Sequence, residues 1–227
     1  MSTTSPLRNT AHSEVRLLAR EDRDDAVDVL ARGFAEEPGN RALYPDPSVR
    51  RAIWDLGARQ ALDETIRLGS VHAAIVDGEV AALALWHPPG VRPSRVIDRA
   101  RHLRQSLPEA PTILQGIPGA ARTAAPHALP ALRMARARNA AVKRVSRGPT
   151  WHLAFLATLP EHRGKGLARR LLNRQLDRCD EDRLPVWLET TDPVNPPIYE
   201  RFGFKTIVHI ADAAWLPGFW VMRRDPR

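Results

Sequence analysis

The stretch that most restricts what this chain can fold into runs from Trp151 to Thr191. Trp151–Leu159 is β-rich and stops at Pro160. The turn Arg163-Gly164-Lys165-Gly166-Leu167-Ala168 follows. From Gly166 to about Asp180 the apolar residues Leu167, Leu171, Leu172 and Leu176 recur with helical spacing on one face. Val186–Thr191 is again a strand candidate. Strands alternating with helices argue an α/β sheet.

The rest of the chain agrees with that reading. Residues 1–13 are polar and expected to be a disordered tail, with no apolar stretch of a secretory signal. Glu14–Ala19 is a short strand candidate. Asp22 is expected to cap a helix reaching about Phe34, with Asp24 and Asp25 in its first turn, where the helix dipole favours them. Residues 36–46 hold Pro38, Gly39 and Pro45 and read as a loop; Asp46-Pro47 then opens a helix to about Leu68. Val71–Val76 and Glu79–Trp86 are strands joined by Asp77-Gly78, a strong hairpin signal because both residues tolerate positive φ. Residues 92–147 read as a helical insertion cut by prolines, with a helix over Pro130–Arg147. Phe202–Ile210 and Trp215–Met222 look like a closing hairpin. The expected organisation is one domain over 14–227.

Composition narrows the function classes. The chain has 227 residues, and 43% hydrophobic with 26% charged residues is a globular balance. One cysteine, Cys179, excludes a disulfide framework and reads as buried packing, and the eight histidines lack metal-ligand spacing, so no metal is expected. No apolar run approaches the ~18 residues of a membrane span, so a cytoplasmic location is expected. The net charge of +8 raises the question of an anionic partner, although an Arg- and Ala-rich composition also follows from a GC-rich genome. The charge is unevenly placed: residues 92–147 hold twelve basic residues against two acids, and the remainder is slightly acidic.

The Arg163–Ala168 turn carries the chemistry. Successive backbone N–H groups in a glycine-rich turn form an anion nest, and the following helix N-terminus adds a positive dipole. Gly164 and Gly166 let a phosphate approach the backbone, and Arg163 and Lys165 add charge. The order of residues is neither a Walker loop nor a dinucleotide fingerprint. Thirty residues on stands Asn195-Pro196-Pro197-Ile198-Tyr199-Glu200-Arg201-Phe202-Gly203-Phe204.

These two motifs, Arg-x-x-Gly-x-Ala after a strand and Asn-x-x-x-Tyr-x-x-x-Gly-Phe after the next, resemble the GNAT superfamily of N-acetyltransferases. Trp151–Pro160 and Leu188-Glu189-Thr190 resemble its puromycin N-acetyltransferase branch. The resemblance implies a strongly twisted mixed sheet flanked by helices, with two splayed parallel strands that bind acetyl-CoA. It places the pantetheine arm on the backbone of Leu156, Ala157 and Thr158, and the pyrophosphate on Arg163, Gly164, Lys165, Gly166, Leu167 and Ala168. It makes Asn195 a cofactor contact, with helix capping as its alternative, and Tyr199 the general acid for the leaving thiolate, with packing as its alternative. Glu189, inside a strand, is either catalytic or paired with an arginine; His152 and His87 are further candidates for the base. Phe34, Tyr44, Trp54 and Trp86 are candidate acceptor contacts, and Glu36, Glu37 and Asp46 could attract a cationic amine. The expected activity is acetyl transfer to a primary amine of a small molecule, of an aminonucleoside or antibiotic-like kind, by direct attack in a ternary complex. The alternatives are transfer to protein amines and a GNAT-fold binding or regulatory protein using its basic block. Partners other than the amine, such as nucleic acid or membrane, are not expected, and the chain is expected to be a monomer or homodimer.

Overall fold

At the Asp77-Gly78 turn both residues have positive φ (52° and 92°), and the two flanking strands pair antiparallel as their alternation requires. This hairpin lies in a sheet of seven strands in the structure, a computed structural model that describes residues 13–43, 45–91, 128–212 and 217–227. The elements are β1 (Ser13–Leu17), α1 (Arg23–Phe34), α2 (Pro38–Leu43), α3 (Pro47–Arg67), β2 (Val71–Val76), β3 (Glu79–His87), α4 (Ala128–Val145), β4 (Trp151–Thr158), a 3-10 turn (Pro160–His162), α5 (Leu167–Glu181), β5 (Val186–Thr190), α6 (Asn195–Glu200), β6 (Lys205–Ile210) and β7 (Phe219–Arg224). The strand order is β1-β2-β3-β4-β5-β7-β6. Among the described residues only β4 and β5 pair parallel; the other neighbours are antiparallel.

Strand β2 is buried along its whole length and β3 at every residue after Glu79, so both faces of the sheet need cover. On one face α5 brings Leu167, Leu171, Leu172, Leu176 and Cys179 against Ala74, Ala84, Trp86, Leu153 and Leu188. On the other, α1 and α3 bring Ala26, Val29, Leu30, Ala58 and Leu62 against Ala73, Ile75, Leu83, Leu85 and Ala157. Helix α4 covers the same side further along, with Ala141 and Val145 on Trp187, Phe219 and Val221.

Several expectations change here. Asp22 precedes α1 without a side-chain capping bond; its carboxylate instead binds Arg16 (2.5 and 2.9 Å) and accepts the Ala19 N–H (2.9 Å). Asp46 does take the Ser48 N–H (2.8 Å) at the start of α3. The expected loop over 36–46 contains α2, since proline is tolerated in the first turn of a helix. Ser13, assigned to the tail, opens β1. The tail up to residue 12 and the expected insertion over 92–127 lie outside the described residues. Helix α4, the last part of that block, is no appendage: its apolar side closes the core over β5 and β7. Among the described residues no helix is long and apolar enough to cross a membrane, and no three His, Cys, Asp or Glu converge to hold a metal ion.

Candidate functional site

The parallel pair β4/β5 begins in register and then divides. Trp151, His152 and Leu153 pair with Val186, Trp187 and Leu188, and the pairing stops there. Beyond it, β4 follows β3 and β5 follows β7: Thr158 pairs with Ala82, Thr190 with Trp220. Ala154 is an extra residue on β4, because Leu85 and Trp86 face Phe155 and Leu153. Such a bulge bends a strand and raises its twist, which is what carries β4 away from β5. Among the described residues, 154–158 therefore keep one edge free of a strand partner, Leu156, Ala157 and Thr158 included. Backbone N–H and C=O groups on such an edge need partners, and an extended ligand arm can supply them.

At the end of β4 the chain turns through Pro160–His162 into the glycine segment. Gly164 and Gly166 have φ of 75° and 76°, and no atom lies within 4 Å of a Cβ built on either. The glycines are required by backbone conformation, and the space beside them is open, as a bound diphosphate needs. Residues 163–166 are exposed, and α5 starts at Leu167 with its unpaired amides directed back toward this turn. The Leu167 side chain is buried in the core, so only its amide is available to a ligand. Arg163 folds back, donating to the carbonyls of Thr158 and Gly33 (both 3.4 Å), and Lys165 lies 3.4 Å from His162 Nδ1.

Past β5, Asn195 does not cap α6. Its amide donates to Thr190 Oγ1 (2.9 Å), tying the helix to the end of the strand. Tyr199 is half-buried against the α5-side core and meets Phe204 edge-on at 5.8 Å. Burial pushes its hydroxyl above its ordinary value, so it stays protonated at neutral pH. No hydrogen bond engages that hydroxyl among the described residues.

Glu189 is the first β5 residue past the last β4–β5 pair, and it sits opposite Val221, on the α4 side of the sheet. Arg138 of α4 donates to it at 2.5 Å. The arginine pair that was one reading of Glu189 is therefore present. Beside it, His152 stacks on Trp187 (3.8 Å between centroids) and shares an Nδ1–Nδ1 hydrogen bond of 3.1 Å with His87. Burial, then neighbouring His87 and Arg138, hold His152 well below the usual histidine range; burial lowers His87 as well. A pair of neutral imidazoles in opposite tautomers satisfies that bond.

The residues after α1 bridge the opening. A Cβ on Gly33 would come within 2.9 Å of Ala157 Cβ, so α1 ends hard against β4. Four residues on, Glu37 accepts the Thr191 hydroxyl at the end of β5 and the Asn40 N–H (2.8 Å). Burial raises Glu37 above the usual carboxylate range, and Asp192 adds to the effect. Phe34 stacks on Trp54 (4.7 Å), and Phe155 meets both edge-on at 5.6 Å. Phe155 was not anticipated, because the bulge that turns it to this side leaves no mark in the sequence. Trp86 is a correction: it is fully buried on the opposite, α5-covered face and cannot touch an acceptor among these aromatics. Tyr44 lies outside the described residues. The exposed Glu36 carboxylate contacts Arg41 at the surface and the buried Arg50.

Residues 140–207 match the family described as Acetyltransferase (GNAT) domain. An uncharacterised N-acetyltransferase of Schizosaccharomyces pombe is 38% identical over 55 residues, covering 24% of this chain and only 22% of that protein. Among solved structures, a histone acetyltransferase HPA2 and related acetyltransferase of Corynebacterium glutamicum superposes with a TM-score of 0.60 at 20% identity, over 95% of this chain and 97% of that one. Arylalkylamine N-acetyltransferase 2 of Aedes aegypti gives 0.60 at 15% identity, over 95% and 99%. The polyamine N-acetyltransferase of Drosophila melanogaster, which forms N-acetylagmatine, gives 0.59 at 18%, over 94% and 100%. The seven-stranded sheet with its flanking helices is thus the GNAT acetyltransferase fold, and residues 140–207 carry that family's sequence pattern.

Proposed function

We propose that the protein is an acetyl-CoA-dependent N-acetyltransferase acting on a primary amine of a small molecule by direct attack in a ternary complex. The observation that carries this is the division of β4 from β5 after Leu153 and Leu188, which opens a backbone edge beside a turn with two left-handed glycines. Acetyl-CoA supplies an acetyl thioester and leaves as the free thiol. The amides of residues 163–168, including Ala168 at the start of α5, would hold its diphosphate, and the free edge at Leu156, Ala157 and Thr158, with Asn195 at the far wall, would hold its arm.

The proton steps fall to two side chains. The incoming ammonium must lose a proton before its nitrogen can attack the thioester carbon. Glu37, held at the opening and with its basicity raised by burial, takes that proton. As the carbon–sulfur bond breaks, Tyr199 gives its hydroxyl proton to the sulfur, and the second proton that the attacking nitrogen loses as the amide forms restores the tyrosine. Glu189, already neutralised by Arg138, has the positioning role of fixing α4 against the opening. Phe34, Trp54 and Phe155 form an apolar wall for the body of the amine. A cationic amine with an apolar or aromatic body suits this combination. The agmatine-forming and arylalkylamine enzymes among the structural neighbours support the same class, and the resemblance to the puromycin branch adds aminonucleosides to it.

The test is thiol release from acetyl-CoA over a panel of agmatine, phenethylamine, puromycin and a peptide N-terminus. At least one small amine should turn over, and Tyr199→Phe should lower kcat on it by about 100-fold or more. Turnover of the peptide alone would move the acceptor to protein amines. Full activity in Tyr199→Phe would remove the acid role.

A further inference from the structure

Residues 191–194 join the end of β5 to the start of α6, and their turn is held from several sides. Thr190 Oγ1 accepts the Asn195 side-chain amide (2.9 Å) and the Asp192 N–H (3.3 Å). The Asp192 carboxylate accepts the Val194 N–H (3.0 Å), and the Asp192 carbonyl accepts the Asn195 N–H (3.1 Å). A carboxylate that bonds to the backbone two residues on forms an Asx turn, which fixes where that carboxylate stands. Tyr199 follows on the same short helix, one turn after Asn195.

Glu37 meets this turn from the other wall of the opening. Thr191 donates its hydroxyl to the Glu37 carboxylate, and the amides of Gly39 and Asn40 donate to it as well. A Cβ on Gly39 would stand 2.8 Å from Thr191 Oγ1, so the backbone after Glu37 presses against the same turn. Burial raises Glu37, and the Asp192 carboxylate raises it further. Other charged groups on the surrounding elements are engaged elsewhere. Arg41 on α2 and Arg50 on α3 face Glu36, and Arg138 on α4 takes Glu189. Arg163, past β4, donates to the carbonyls of Thr158 and Gly33.

We propose that Thr191 and Asp192 are positioning residues for proton removal, Thr191 holding the Glu37 carboxylate at the opening and Asp192 holding a second negative charge beside it. Their role rests on Glu37 as the base. Two like charges in a partly buried site disfavour each other, so Glu37 takes a proton more readily with Asp192 nearby. The same pair of charges attracts the ammonium group that must be deprotonated. Because α6 starts from this turn, residues 190–195 also set Glu37 and Tyr199 relative to each other.

Two near-isosteric substitutions separate these roles. Asp192→Asn keeps an acceptor oxygen for the Val194 N–H and removes only the charge. Thr191→Val keeps the shape and removes the hydroxyl. A hydroxyl donates a stronger, charge-assisted bond to a carboxylate than it makes to the neutral acid. The two changes therefore move the Glu37 titration in opposite directions, down in Asp192→Asn and up in Thr191→Val. Residues that only shaped the turn would move stability and leave that titration in place.

The experiment follows the side-chain carboxyl carbon resonance of Glu37 against pH in the full chain, identified by its loss in Glu37→Gln. The kcat/KM profile is measured beside it on an amine that gives thiol release. In Asp192→Asn the Glu37 midpoint should fall by about 0.5 pH unit or more, and the acidic limb of kcat/KM by the same amount. In Thr191→Val the midpoint should rise and kcat should fall about tenfold, the loss of one hydrogen bond, with Thr191→Ser restoring both. An unmoved midpoint in Asp192→Asn overturns the proposal, as does a wild-type kcat in Thr191→Val. So does activity lost only in step with a lowered Tm while Glu37 titrates as in the wild type. A midpoint that falls in Asp192→Asn while the acidic limb stays in place supports the placement of Asp192 and removes Glu37 as the base instead.

Discussion

Glu37 shows how one side chain can serve chemistry at the expense of stability. Its carboxyl is raised by burial, so the fold favours its neutral form. The sign follows from linkage: Glu37 contributes stability below its unfolded value of 4.5, and that contribution is lost as pH rises through the raised folded value. Glu37→Gln keeps the shape and removes the charge. At pH 7 its Tm should equal or exceed that of the wild type, with the difference vanishing below about pH 4.5, while thiol release falls. The acidic limb of the wild-type kcat/KM profile should lie above the ordinary glutamate value and be absent from the residual activity of the variant. A Tm at pH 7 well below wild type would mean that Glu37 is a structural tie to Thr191 and nothing more. At this scale the sequence was informative about residue types and silent about faces. Glu189 could be placed inside a strand, but Arg138 stands 51 positions away and was invisible as its partner. Trp86 and Phe155 were misplaced or missed for one reason: the side on which an aromatic lands depends on register, and the bulge at Ala154 has no local signature.

Among the elements, the pairing of α1 with β4 is the least forgiving contact at the opening. Gly33 is helical and has no need of glycine's conformational freedom; it is there because Ala157 lies against it. Gly33→Ala should lower stability by about 1–3 kcal/mol through overpacking, read as a shift in Tm, and should lower activity by displacing Glu37 and Phe34. An unchanged Tm would show that α1 can lift from β4 without cost. Legibility here followed locality. The β2/β3 hairpin was readable because two adjacent residues dictate its turn. Helix α5 was readable because its four leucines keep one period. Helix α2 was not, since Pro38-Gly39 reads as a break and six residues are too few to display a period. Helix α4 was readable as a helix within an insertion but not as cover for the core, because the apolar surface it covers, Trp187, Phe219 and Val221, lies far along the chain.

On the scale of the whole molecule, the division between β4 and β5 separates the sheet into β1–β4 and β5–β7, joined by three residue pairs and by the helices laid across them. A ligand arm filling that opening supplies the missing ladder and binds only the folded chain. At one hundred times its dissociation constant, coenzyme A should stabilise the protein by about 2.7 kcal/mol, raising Tm by roughly 5–10 °C for a chain of this size. Gly166→Val, which places a branched side chain at positive φ in the anion turn, should abolish the rise. A rise that survives the substitution would place the coenzyme elsewhere. The distribution of charge is also decided at this level. The basic block seemed detached from the rest when counted along the chain, yet α4 within it supplies the arginine that neutralises Glu189 beside the opening. Strands, helices, the glycine turn and the Asn195–Tyr199 motif were all encoded within runs of ten to twenty residues, where backbone preference and apolar period act locally. The bridge from Glu37 to Thr191 joins positions 154 apart, and a pocket under α5 joins β1, β2 and a helix from the far half of the chain. Such contacts arise only when packing fixes which helix covers which face of the sheet, and that depends on all the apolar surface of the chain at once.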